Sequence, residues 1–130
     1  MWAALAVMLA LGPRLPPPAV AVPVRPTEEA SVLRVSARWC APCLEMQEGF
    51  RAAARTFDGL VCFRTLDADA DIELAKRLGV RSLPATLVRF RGRTVERDIG
   101  YLTPGEQWAV ASRASLWPAV AQAIENATAR

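Results

Sequence analysis

The feature that most constrains this chain is a pair of cysteines two residues apart, in the stretch WCAPC at residues 39–43. The short, partly β-branched stretch from Ser31 to Ala37 predicts a strand in front of the pair. Behind the pair, apolar residues recur every three to four positions to about Phe57, which predicts an amphipathic helix from Pro42. The cysteines therefore stand where a strand gives way to a helix, with Cys40 at the helix N-terminus.

A Cys-x-x-Cys pair can bind zinc, form a structural disulfide or exchange electrons. Zinc needs two further soft ligands, and the 130-residue chain offers only Cys62 and no histidine. A structural disulfide across so small a loop removes little entropy from the unfolded chain. At a helix N-terminus, unpaired N–H groups and the helix dipole favour a thiolate. The residues therefore predict a redox pair in which Cys40 reacts first and the more buried Cys43 resolves.

The rest of the chain predicts an α/β order. A second strand starts at residues 60–63 and contains Cys62, which we expect to be buried and inert. It ends in the acidic segment 67–71, interpreted as the start of a helix that Gly79 closes. Residues 85–90 and 94–99 predict an antiparallel hairpin. Thr103 begins a last helix, which Pro118 is expected to divide in two. The apolar stripe predicted for that helix comprises Trp108, Leu116, Val120 and Ile124.

The N-terminus predicts export from the cytoplasm. Residues 1–12 form an apolar run of the length of a signal-peptide core, prolines follow at once, and Ala19-Val20-Ala21 is a small-x-small cleavage signature. We therefore expect a signal peptide at 1–21, a Pro-rich linker at 22–30 and a folded domain at 31–130. No Lys or Arg precedes the apolar run, which leaves two alternatives, an uncleaved anchor or a mis-assigned start codon. The alternative location is the cytoplasm.

Composition narrows the classes of partner and ligand. A formal net charge of +3, spread along the chain, argues against nucleic-acid binding. A hydrophobic fraction of 52% allows a buried core without many cross-links. The aspartates at 67, 69 and 71 lack the glycine and terminal glutamate of a calcium loop. We therefore expect no metal and no cofactor.

Two motifs together carry a family resemblance. The WCAPC stretch closely resembles the Trp-Cys-Gly-Pro-Cys site of thioredoxins, and residues 81–86 are similar to the loop that holds the family's cis-proline. The resemblance implies a thioredoxin-like α/β fold with a mixed central sheet of about four strands flanked by helices. It implies a trimmed version, because only residues 22–30 precede the first strand, where the family usually has an extra strand and helix.

The resemblance also assigns roles to the site residues. Cys40 would be the attacking nucleophile, Cys43 the resolving thiol and Pro84 the cis-proline beside them. The substrate groove would then be formed by Trp39, Ala41, Pro42, Leu83 and Pro84.

One position departs from the family pattern. Six residues before the first cysteine the family usually buries an acidic residue, where this chain has Arg34, and the family's nearby lysine falls at Thr65. If Arg34 points toward the pair, its charge would favour a thiolate and make the disulfide more oxidising. The alternatives are a different register or an Arg34 that extends to solvent.

These features predict a thiol–disulfide oxidoreductase that acts outside the cytoplasm as a monomer. It would exchange electrons with protein thiols and disulfides through a transient mixed disulfide, and a redox partner would recycle it. The alternative is a dedicated thiol carrier that serves one partner, as in cytochrome c maturation, with little general activity. The sequence leaves the direction of electron flow open.

Overall fold

A computed structural model describes residues 29–129 of the chain. The predicted signal peptide at 1–21 and nearly all of the predicted linker lie outside this part, which contains four strands and four helices. They are β1 (Ala30–Ser36), α1 (Ala41–Glu45), α2 (Gln47–Thr56), β2 (Cys62–Asp67), α3 (Ile72–Arg77), β3 (Ala85–Phe90), β4 (Arg93–Ile99) and α4 (Pro104–Thr128).

The four strands form one mixed sheet in the order β2-β1-β3-β4. β1 pairs in parallel with β2 and antiparallel with β3, and β3 pairs antiparallel with β4. The β3–β4 turn at Arg91 and Gly92 has positive φ at both residues, as a tight hairpin turn requires. The predicted mixed sheet of about four strands, flanked by helices, is confirmed.

The main core lies between the sheet and the helices α2 and α4. Val32 and Val88 point to this face of the sheet and pack against side chains of both helices, such as Ala53 and Val110. Helix α3 covers part of the opposite face, where its Leu74 lines a cavity beneath the strands. One face of the sheet is therefore well covered, and the other is more open.

The predicted helix from Pro42 to Phe57 occurs as two segments, α1 and α2. Only Met46 separates them, and it keeps right-handed helical dihedral angles. Its N–H donates to the carbonyl of Pro42 at 3.2 Å, and its carbonyl accepts from the N–H of Phe50 at 3.0 Å. The chain therefore follows a helical path with one irregular turn after the cysteine pair.

The prediction of a break at Pro118 was wrong, because α4 is one helix from Pro104 to Thr128. A proline lacks an N–H, so it removes the hydrogen bond to the carbonyl of Ala114 but leaves those of the turns on either side. Thr103 caps the helix as predicted, its Oγ1 accepting from the N–H of Glu106 at 3.2 Å.

The prediction of which apolar residues of α4 are buried was also wrong. Its four residues are about half exposed, with relative exposures of 50% at Trp108, 57% at Leu116, 44% at Val120 and 57% at Ile124. The buried face is made of smaller residues instead, namely Gln107, Val110, Ala111 and Ala114. Small side chains let α4 approach the sheet and α2 closely, so the four larger residues of the predicted stripe lie at the edge of the contact and stay about half exposed.

The contact between α2 and α4 depends on Gly49. A Cβ atom there would lie 2.5 Å from Nε2 of Gln107 and 3.2 Å from the backbone Cα of Pro104. Gln107 is 5% exposed and its Nε2 donates to the carbonyl of Leu102 at 3.2 Å, so the side chain has little room to move. Only glycine fits this position without displacing α4.

We expect Gly49→Ala to lower the free energy of unfolding by about 1–3 kcal/mol, the usual cost of forcing extra atoms into a packed contact. Gly105→Ala is a matched control, because Gly105 is also helical and a Cβ there meets no atom within 4 Å. The control should be neutral or more stable, since alanine is the better helix former. Urea unfolding of both variants measures the difference, and equal stabilities would contradict the close contact.

Candidate active site: the Cys40–Cys43 pair

The two cysteines are joined by a disulfide, with their Cα atoms 5.2 Å apart. Cys43 is fully buried and Cys40 is 4% exposed. Cys40 is therefore the more accessible residue of the pair.

The start of α1 determines the surroundings of Cys40. Cys40 is the N-cap of the helix, and its Sγ accepts the N–H of Cys43 at 3.3 Å. Pro42 has no N–H, so it cannot compete for the sulfur. An N–H directed at Sγ favours negative charge on the sulfur, because a thiolate accepts a hydrogen bond better than a thiol does. Ala41 and Pro42 are exposed at this helix end.

The loop before β3 contributes the next part of the site. The Leu83–Pro84 peptide bond is cis, as the resemblance implies, and Pro84 is buried. Leu83 packs against the cluster formed by Ala37, Cys40 and Cys43. The carbonyl of Pro84 accepts the N–H of Gly100 at 2.8 Å, which ties this loop to the end of β4.

Trp39 lies at the rim of the site. It is 69% exposed, and its indole Nε1 donates to the Asp69 carboxylate at 2.8 Å. Trp39 and Leu83 line a groove of about 410 Å³ together with α3 residues such as Ile72 and Lys76, and Leu83 also packs against the cysteine pair. The groove is open to solvent and could receive an extended segment of another protein.

The sequence interpretation missed Asp69 as a site residue. The segment 67–71 does start α3, because Asp71 is its N-cap and accepts the N–H of Leu74 at 3.1 Å. Asp67 accepts N–H groups within the same turn. Asp69 is left to bind Trp39, a contact between residues 30 positions apart that no local pattern reveals.

Arg34 is buried, with a relative exposure of 6%. Its guanidinium carbon lies 4.9 Å from the centre of the Phe50 ring, and Nη2 donates to Oγ1 of Thr65 at 3.5 Å. Burial first, and then the nearby Arg51 guanidinium, lower the pKa of Arg34. Arg34 therefore lies on the face covered by α2, and the alternative in which it extends to solvent is wrong.

Cys62 is half-buried, so the prediction of a buried core cysteine was wrong. It begins β2, an edge strand, and its register partner Ser31 lies on the more open face of the sheet. Its Sγ accepts from Nε of Arg64 at 3.5 Å. Cys62 lines a cavity of about 480 Å³ that the disulfide does not border, so this larger cavity is separate from the site.

The structure therefore brings Cys40, Cys43 and Leu83 into one cluster, with Pro84 adjacent and Trp39 at the rim of the groove. Within residues 29–129 no group of three or more His, Cys, Asp or Glu side chains is placed to hold a metal ion. None of the helices in this part of the chain combines the length and apolar character needed to cross a membrane.

Comparison with known proteins agrees with this geometry. The thioredoxin family model matches residues 21–106. Thioredoxin H2 of Arabidopsis thaliana is 32% identical over 77 residues, which are 59% of this chain and 57% of that protein. Thioredoxin of Chlorobaculum thiosulfatiphilum is 26% identical over 76 residues, 58% of this chain and 70% of that protein. The chain thus spans little more than half the length of the plant relative.

Solved structures share the fold. A mutant thioredoxin of Halobacterium salinarum superposes with a TM-score of 0.62 at 22% identity, covering 67% of this chain and 75% of that one. The germline-specific thioredoxin Deadhead of Drosophila melanogaster gives a TM-score of 0.63 at 25% identity, covering 68% and 83%.

Proposed function

The chain belongs to the thioredoxin family, and from that premise we propose that it is a thiol–disulfide oxidoreductase acting on protein substrates outside the cytoplasm. The observation that carries the proposal is the Cys40–Cys43 disulfide, which lies at a helix N-terminus and packs against the Leu83–Pro84 loop. Cys40 retains a small exposed fraction and Cys43 is fully buried, which suits an exchange in which one cysteine attacks and the other resolves.

In the reducing direction, the Cys40 thiolate attacks one sulfur of a client disulfide. The Cys40–client bond forms and the client's second sulfur leaves as a thiolate. Cys43 then loses its proton and attacks Sγ of Cys40, which releases the first client sulfur and restores the Cys40–Cys43 bond. Two electrons pass from the pair to the client.

In the oxidising direction the same bonds exchange in reverse order. A client thiolate attacks Sγ of Cys40, because that sulfur is the more accessible, and Cys43 leaves. The second client thiol then displaces Cys40 and closes the client disulfide. Each round leaves the pair in the opposite state, so a separate redox partner must restore it.

The groove beside the disulfide supports a protein substrate. It is lined by the exposed Trp39 and by Leu83, and Leu83 in turn packs against the cysteine pair, so a client segment placed there would lie next to the site. The apolar run at residues 1–12 and the small-x-small signature at 19–21 support export. Disulfide exchange with folding proteins also suits an oxidising compartment.

The first test is turnover by the purified protein in both directions. We expect it to accelerate reduction of insulin disulfides by dithiothreitol and to oxidise a reduced dithiol peptide. The Cys62→Ser variant should behave like the parent protein, because Cys62 lies away from the pair. Absence of acceleration in both assays would overturn the proposal.

The alternative is a dedicated thiol carrier for one partner. Such a carrier would exchange with small thiols such as glutathione but would leave insulin and unrelated peptides unchanged. Comparing glutathione exchange with insulin turnover therefore separates the two functions.

A further inference from the structure

We propose that Arg34 is a positioning residue that raises the reduction potential of the Cys40–Cys43 pair. Its buried positive charge stabilises the thiolate formed when the bond is reduced, which favours oxidation of client dithiols over reduction of client disulfides. The inference rests on the proposed function, since it concerns the potential of the same cysteine pair.

The first observation is that Arg34 has little compensation for its burial. Its Nε and Nη1 atoms are buried and have no hydrogen-bond partner. Its only side-chain hydrogen bond within residues 29–129 is the long one to Thr65, and no carboxylate in that range forms an ion pair with it. A guanidinium stays protonated even when buried, so an uncompensated positive charge persists inside the protein.

The second observation is a row of polar side chains across the sheet. Residues directly opposite each other in register share a face, and Arg34 is opposite Thr65 on β2 and Thr86 on β3. Thr86 is in turn opposite Asp98 on β4. Oγ1 of Thr86 and Oδ2 of Asp98 are also buried without a partner. A polar layer therefore crosses the face that α2 and α4 cover.

Strand spacing places this layer one step below the residues that contact the cysteine pair. Side chains two residues apart on a strand share a face and stand about 7 Å apart. Thr86 of β3 and Pro84, which directly precedes the strand, are two residues apart. Pro84 belongs to the loop whose Leu83 packs on the disulfide. On β1, Arg34 is followed on its face by Ser36, and the next residue, Ala37, contacts the pair. Arg34 is thus one layer beneath the site.

The other charges near this face are paired with partners other than Arg34. Arg51 of α2 is positive and already paired with Glu48, and Glu96 of β4 is paired with Arg113 of α4. The pKa of Asp98 is raised mainly by burial and next by the negative charge of Glu96, whereas the positive charge of Arg113 lowers it. Asp98 lies two strands away from Arg34, across Thr86, and forms no ion pair with it. Within residues 29–129 no acid is therefore paired directly with Arg34.

The oxidised pair is neutral and gains nothing from a nearby positive charge. When a client dithiol is oxidised, it loses two electrons and two protons, and the Cys40–Cys43 bond accepts the two electrons. Cys43 takes one proton, the other goes to solvent, and Cys40 remains a thiolate. Only this reduced state interacts favourably with Arg34, so the charge shifts the equilibrium toward reduction of the pair.

The test is the equilibrium of Cys40–Cys43 with a glutathione redox buffer, read by alkylation of the free thiols. We expect Arg34→Met, which removes the charge and keeps much of the volume, to shift the equilibrium constant about tenfold toward the disulfide, or about 30 mV to more negative potential. Arg34→Lys keeps the positive charge, so its equilibrium constant should stay close to that of the parent protein. Arg51→Gln removes an exposed charge from the helix that covers Arg34 and should leave the constant unchanged.

The two proposals fail in different ways. If the pair does not exchange with glutathione at all, the proposed function fails. If exchange occurs but Arg34→Met matches the parent protein, or Arg34→Lys behaves like Arg34→Met, the inference about Arg34 fails. Should Arg34→Met not fold, Arg34→Gln provides the same neutral comparison. A purely structural effect would change stability in both redox states equally and would leave the potential unmoved.

Discussion

Cys40→Ser should abolish thiol–disulfide exchange, with turnover falling on the order of 10³-fold or more, the scale on which removal of a nucleophile acts in other enzymes. A hydroxyl cannot form a disulfide, so neither a mixed disulfide nor the Cys40–Cys43 bond can exist in this variant. Insulin reduction and peptide oxidation, measured side by side, both report the loss.

The substitution is well suited to this site because it should preserve the fold. Cys40 caps α1 by accepting the N–H of Cys43, and serine is among the best N-cap residues. Circular dichroism and urea unfolding should therefore resemble those of the reduced parent protein. Cys62→Ser is the matched control and should keep full turnover. Retained turnover in Cys40→Ser would show that another thiol carries the chemistry.

The sequence predicted those parts of the fold that local patterns determine. The strand before the cysteines, the helix start at Cys40 and the hairpin of β3 and β4 follow from alternation, capping and turn residues within short stretches. The family resemblance added the mixed central sheet of about four strands flanked by helices, whereas the strand order came from the structure. The site could be predicted for the same reason, because each of its two motifs is one uninterrupted stretch of sequence.

The helix α4 shows where local patterns fail. Its large apolar residues, such as Leu116 and Ile124, suggest a buried stripe, but the buried face consists of small residues like Ala111 and Ala114. Which face of a helix is buried depends on how closely its neighbour approaches, and here Gly49 of α2 sets that distance. Such complementarity between distant segments is absent from any single stretch of sequence.

Cys62 and Arg34 show the same limit for site residues. An apolar strand predicts a buried cysteine, but β2 is an edge strand and one face of the sheet is more open. The direction of the Arg34 side chain depends on its register with Thr65 and Thr86, residues 31 and 52 positions away. The unusual residue was visible in the sequence, whereas its burial without an ion-pair partner among residues 29–129 became apparent only from the sheet.

Cys43→Ser should convert the protein into a trap for its clients. Cys40 can still attack a client disulfide, but without the second thiol the mixed disulfide cannot be resolved from within. The third cysteine of the chain, Cys62, lines a cavity that neither cysteine of the pair borders, so it cannot replace Cys43 in that step. Adducts should therefore accumulate and appear as new bands on non-reducing gels, which disappear on reduction.

The pattern of trapped adducts decides between the two functions that the site permits. Many adducts from a mixture of oxidised proteins indicate a general oxidoreductase, and a single dominant adduct indicates a dedicated carrier. The double variant Cys40→Ser with Cys43→Ser should form none, whereas Cys43→Ser combined with Cys62→Ser should still form them. Adducts that depend on Cys62 would contradict the assignment of Cys40 as the attacking thiol. If no adducts form although Cys43→Ser is folded, Cys40 is not a nucleophile toward protein disulfides.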